Sequence, residues 1–209
     1  MNEEKLGQEG WALYGKRIKS DKAIKITEYA KQYLEPILKQ FPEIKDKVYL
    51  LLRKNGWFAN YEPVMQIVIR EEALALSEWR IRSTTAHELL HLVQFINGIG
   101  IDKSIKNGQI EKQATFLTFS RGFSYDYLKS FSVECNKDSC DHKFTYAYFC
   151  CDKIFKGCCK EYTEESILIL AEKLKRLASN YNLHDNPDYN KIMHDCCIKD
   201  ISSERLWNS

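Results

Sequence analysis

The sequence predicts an α+β fold: a small mixed sheet, a helix carrying a metal-binding motif, a second helix adding a ligand, and a Cys-rich C-terminal third. Three observations predict it. Val64-Met65-Gln66-Ile67-Val68-Ile69-Arg70 is dense in β-branched residues, a composition that suits a strand. His87-Glu88-Leu89-Leu90-His91 reads H-E-x-x-H, and Leu89, Leu90, Val93 and Ile96 recur around it at helical spacing. All 8 Cys lie from Cys135 onward, six of them in the adjacent pairs Cys150-Cys151, Cys158-Cys159 and Cys196-Cys197.

Residues 1–20 are polar, hold three Gly, and read as an irregular lead-in or a short helix. Residues 21–40 read as the first full helix, with Ser20 as N-cap, Ile24, Tyr29, Tyr33, Leu34, Ile37 and Leu38 on its apolar side, and Pro36 as a kink. Val48 to Leu52 is a short strand, and Asn55-Gly56 signals a turn. After the strand at 64–70 comes a connector, 71–80. The motif helix is expected over 84–97, with Ser83 or Thr84 as N-cap and Asn97-Gly98 as its stop.

Gly98, Gly100 and Gly108 punctuate the following loop. Asn107 caps a second helix over 109–121, with Ile110, Ala114 and Leu117 inward, and Gly122 ends or kinks it. Residues 123–134 continue as helix. Phe144 to Phe149 is a strand-like piece within the Cys-rich stretch. Thr163 caps a helix over 164–181 whose Ile167, Leu168, Ala171, Leu174, Leu177 and Ala178 form an apolar stripe. Asn186-Pro187 opens a last helix, which carries Cys196 and Cys197.

The chain of 209 residues is long enough to bury a sizeable core. It divides by composition into a core over 1–134, a Cys-rich insert over 135–160, and helices over 161–209 that pack on the core. The net charge is +2, with basic and acidic residues interleaved, which argues against nucleic acid or an anionic membrane as a partner. No apolar run is long enough to span a membrane, and the charged start Met1-Asn2-Glu3-Glu4-Lys5 lacks the apolar segment of a signal peptide. The expected location is therefore cytoplasmic.

On a helix, positions i and i+4 are neighbours, with Cβ atoms about 5–6 Å apart. His87 and His91 can thus share one metal ion, and Glu88 is long enough to reach a water on the open position. A catalytic zinc takes three protein ligands, so a third must come from elsewhere. His142, Asp102, Asp126 and Glu134 are in the chain, but position favours Glu111. The motif helix ends a few residues after His91, the chain reverses through a Gly-containing loop, and Glu111 falls early in the next helix.

The pattern His87-Glu88-x-x-His91, then nineteen residues, then Glu111, resembles the gluzincin type of zinc metallopeptidase, the thermolysin-like and aminopeptidase-like families. The resemblance spans about residues 64–121. It implies a zincin-like fold, a Zn2+ held by His87, His91 and Glu111, and a peptide or protein substrate hydrolysed through a metal-bound water with Glu88 as general base. It also implies a strand beside the substrate just before the motif helix, for which residues 64–70 match by position. Tyr125, Tyr127 and Arg121 are the side chains available to stabilise an oxyanion. Thr115 stands where the thermolysin-like families carry an Asp four residues after the ligand Glu.

Cys135, Cys140, Cys150, Cys151, Cys158, Cys159, Cys196 and Cys197 suit either disulfides that staple the C-terminal third to the core or a structural zinc. Two other functions fit parts of the pattern. One is an SprT-like, DNA-associated protease whose Cys-rich zinc module, with Lys137, Lys143, Lys153 and Lys156, meets nucleic acid. The other is an inactive zincin acting as a binding protein, against which the intact Glu88 argues.

Overall fold

The structure is a computed structural model that describes residues 3–5, 12–14, 29–45, 47–53, 58–60, 65–99, 107–134, 163–189 and 191–192. It forms two compact units, Met1–Gly98 and Ile99–Ser209, and its secondary structure is α+β.

The first unit is built on a five-stranded mixed sheet. Its strands are β1 (Glu3–Lys5), β2 (Ala12–Tyr14), β3 (Tyr49–Arg53), β4 (Phe58–Asn60) and β5 (Gln66–Arg70), in the order β1-β2-β3-β5-β4. β3 runs parallel to both β2 and β5, while β1 and β4 are antiparallel to their single neighbours. Leu50, Ile67, Val68 and Ile69 are fully buried, as the β-branched run at 64–70 requires of an interior strand.

Several elements depart from the sequence expectations. The lead-in contains the paired strands β1 and β2 rather than a helix, because three-residue strands are too short to show an alternating pattern. β4 also escaped, hidden behind the Asn55-Gly56 turn signal. In the expected helix at 21–40, the described part is a π turn, Ala30–Leu34, leading into α1 (Glu35–Leu38). Pro36 has no N–H for the carbonyl four residues back, and a wider turn just before it accommodates that loss. Tyr29, Leu34, Ile37 and Leu38 are buried as expected, and Ile24 lies outside the described residues.

The strand at 64–70 cannot lie beside a substrate. β5 is hydrogen-bonded to β3 on one side and to β4 on the other, so its backbone groups are already used. Among the described residues, the sheet edge nearest in sequence to the motif helix is β4.

The motif helix, α2 (Glu78–Ile96), starts six residues earlier than its spacing suggested. A short 3₁₀ turn, Glu71–Ala75, leads into it, and the Ser77 side chain caps it by accepting from the Arg80 N–H at 3.3 Å. It ends at Asn97, and Gly98, at φ 77°, takes the left-handed conformation that a helix stop favours. Leu89, Leu90, Leu92 and Val93 are fully buried. Ile96, expected inward, is exposed in the last turn.

The second unit is helical among its described residues. It contains α3 (Asn107–Thr118), a π turn (Phe119–Phe123), α4 (Ser124–Glu134) and α5 (Glu164–Ala178). Gly122, at φ 95°, breaks the helical path inside the π turn, which is the kink its position predicted. Phe116 is the centre of an aromatic cluster, with ring centroids 6.0 Å from Phe119, 5.6 Å from Tyr181 and 5.3 Å from Tyr189. Gln113 on α3 donates to the Leu183 carbonyl at 2.9 Å and to the Asp185 carbonyl at 3.2 Å, fastening the segment after α5 to this cluster.

Thr163 caps α5 by accepting from the Ser166 N–H at 3.2 Å. Ile167, Leu170, Ala171, Leu174 and Ala178 form its buried face, while Leu168, expected inward, is 52% exposed. The next helical turn begins at Tyr189 rather than Pro187, with Asp188 as its cap: the Asp188 carboxylate accepts from the Lys191 N–H at 3.1 Å. The Cys-rich insert, the strand-like piece at 144–149 and all eight Cys lie outside the described residues. Among the described residues, no helix is long and apolar enough to cross a membrane.

Candidate metal centre

The site is built from α2 outward. His87 and His91 lie one helical turn apart, and their Nε2 atoms are 3.0 Å from each other. The rings meet edge to face, with centroids 4.6 Å apart and planes at 90°. Both ring tips therefore aim at one point, as two ligands of one ion must. The Nδ1 of His91 lies 2.7 Å from the Oε1 of Gln94, three residues on along the same helix.

Glu88 sits between the two His in sequence and is 8% exposed. Its Oε2 accepts the backbone N–H of Ala59 at 2.7 Å. This bond crosses from α2 to the sheet edge and fixes the carboxylate against β4. A buried carboxylate without such a donor would be costly to keep charged.

Behind the motif, Thr85 is fully buried and its hydroxyl is 2.5 Å from that of Tyr29. Burial holds the Tyr29 phenol well above its ordinary pKa; the Thr85 bond opposes that rise, and the nearby Tyr33 and Glu88 add to it. Tyr29 thus stays neutral and serves as a polar pin for the helix.

Glu111 lies early in α3, in the second unit. One ligand atom from each of His87, His91 and Glu111 lies within 4.8 Å of the others, and such a group can hold a metal ion. Two imidazoles and a carboxylate are donors that a divalent ion such as zinc accepts. The residues present therefore fit the ion that the motif calls for.

The remaining candidates have other surroundings. The Tyr125 hydroxyl donates to the Glu164 carboxylate, which also takes a hydrogen bond from the Lys129 ammonium. Partial burial first, and then the Glu164 carboxylate, push the Tyr125 phenol up to about 12. Tyr127 is buried, its ring centroid 5.1 Å from that of Phe119. Arg121 is half-buried in the π turn, and Asp126 is buried on α4. Asp102 and His142 lie outside the described residues.

Three partners were not read from the sequence. Ala59 contributes through its backbone and carries no side-chain signal. Tyr29 meets Thr85 across 56 residues of chain, a pairing that no local pattern encodes. Gln94 was legible in principle, because i+3 from a His ligand is the same helix face. Comparison with known proteins finds no family model, no curated protein and no solved structure that matches the chain.

Proposed function

We propose that the chain is a zinc-dependent metallopeptidase of zincin-like fold, with His87, His91 and Glu111 as ligands and Glu88 as general base. The observation that carries this reading is the Glu88 carboxylate. It lies between the two converging imidazoles in sequence and is tied to β4 by the Ala59 N–H at 2.7 Å. A structural metal site needs no such carboxylate beside its ligands. A hydrolytic one needs a base at that place, to take a proton from water and pass it to the leaving amine.

Bound zinc supplies Lewis acidity for the scissile carbonyl. The chain supplies the rest. Glu88, held by the Ala59 N–H through Oε2, is the group that exchanges protons in this reading. Ala59, whose N–H points away from β5 to reach Glu88, directs its carbonyl to that same side, where no further strand pairs with β4 among the described residues, since both groups of one strand residue share a side. That carbonyl suits the N–H of an extended peptide laid along β4, a backbone pairing that serves many sequences.

The test combines metal analysis with turnover. The purified protein is expected to hold one zinc per chain and to cleave a peptide library, and a chelator should stop cleavage. Glu88→Gln should keep the zinc and lose about 10²- to 10⁴-fold in turnover, the usual worth of a general base. A Gln variant as active as the parent removes the proposed mechanism. A zinc-loaded parent that cleaves nothing favours the binding-protein reading.

A further inference from the structure

We propose that Gln94 is the positioning residue that sets the ring proton of His91, so that this imidazole presents a bare Nε2 toward the metal. The proposal rests on the metal-site reading above and adds to it a residue that the H-E-x-x-H motif does not contain.

The argument begins with burial. Gln94 is 1% exposed, on a helix whose other inward residues nearby are Leu90, Leu92 and Val93. A primary amide in such surroundings is kept only if its polar atoms are bonded. Its Oε1 lies 2.7 Å from the Nδ1 of His91. An amide oxygen only accepts, so the hydrogen between them belongs to Nδ1. A neutral imidazole carries one ring proton, and with Nδ1 protonated the Nε2 lone pair is bare.

That Nε2 is the atom that faces His87, at 3.0 Å. Two ligands bound about 2.0–2.1 Å from a tetrahedral ion stand roughly 3.3 Å apart, so the pair already sits close to the ligand spacing. The opposite tautomer would place an N–H where the metal must go. Gln94 thereby selects the tautomer that binds metal and holds the ring's orientation. It does so from its own helix, at i+3.

A merely structural Gln94 would affect folding and leave the ring proton alone, so the experiment reads the proton directly. In the metal-free wild-type protein, long-range ¹H–¹⁵N spectra should show His91 protonated at Nδ1. In Gln94→Met, which keeps length and loses the acceptor, the proton should move toward Nε2. Zinc affinity, measured by competition with a chelating dye, should fall about 10- to 100-fold in that variant. Gln94→Glu restores an acceptor oxygen and should bind zinc within a few-fold of wild type.

Wild-type His91 protonated at Nε2 overturns the proposal, and so does a folded Gln94→Met that binds zinc as wild type does. If Gln94→Met fails to fold, the wild-type spectrum and the Gln94→Glu affinity still decide. Failure of the wild-type protein to bind zinc would instead overturn the metal-site reading, and the ring proton of the metal-free protein would still report on Gln94.

Discussion

Two helices of the molecule bury their inner faces in different ways. On α2 the buried residues include Ser83, Thr85, Glu88 and Gln94 among the aliphatics. On α5 the buried residues are Ile167, Leu170, Ala171, Leu174 and Ala178, all apolar. An unsatisfied buried polar group costs about 1–3 kcal/mol, and α2 answers each of its own. Ser83 bonds back to the Arg80 carbonyl, Thr85 meets Tyr29, Glu88 takes the Ala59 N–H and Gln94 meets His91. It is on this face, where each polar group has a specific partner, that the proposed chemistry rests.

Substitutions on the two faces should therefore fail differently. The largest stability loss is expected at Leu174→Ala, which empties a fully buried position on α5. It should cost about 2–5 kcal/mol in urea unfolding and leave zinc content unchanged in the folded protein. A matching fall in zinc affinity would break the comparison, because α5 would then belong to the site.

Tyr29→Phe is smaller and sharpens the contrast. It leaves the Thr85 hydroxyl without its tyrosine partner and should cost about 1–2 kcal/mol. The pH profile carries the sign. The folded-state pKa of Tyr29 is raised, chiefly by burial, so its contribution is whole below the unfolded value of about 10 and is lost as pH climbs beyond it. The alkaline decline in stability should be shallower in the Phe variant than in the parent.

The smallest effect is expected at Glu164→Gln, at the exposed start of α5. Hydrogen bonds from Lys129 first, and then Tyr125, hold the Glu164 carboxyl below its ordinary pKa. Its contribution is therefore present above the ordinary carboxylate range and disappears as pH falls through the lowered value. A slight drop in melting temperature at neutral pH, vanishing in acid, is the expected result. Surface pairs of this kind contribute little.

The two faces also differ in how legible they were. The α5 stripe could be read from periodicity except at its edges: Leu168 is exposed, Leu177 only half-buried, and Leu170 is buried though not expected, since a window of aliphatics does not say where the stripe's edge falls. His87, Glu88 and His91 were legible because their spacing is itself the geometry. Glu111 was legible because a short loop limits where the next helix can begin. The sheet was half legible. β3 and β5 announce themselves by composition, whereas β1, β2 and β4 are three residues each and take their identity from the neighbours they pair with. Ala59 stayed hidden for the same reason: pairing, not side-chain type, decides what a strand's backbone faces.

The short margins of the sheet bear on how copies of this chain behave in concentrated solution. An open edge invites another chain to pair with it, and long apolar edges grow into aggregates. Among the described residues the sheet ends in β1, made of Glu3, Glu4 and Lys5, and in β4, three residues long with one N–H already given to Glu88. A second copy approaching either margin finds few hydrogen bonds to make. The apolar strands β3 and β5, which would propagate such pairing, lie inside.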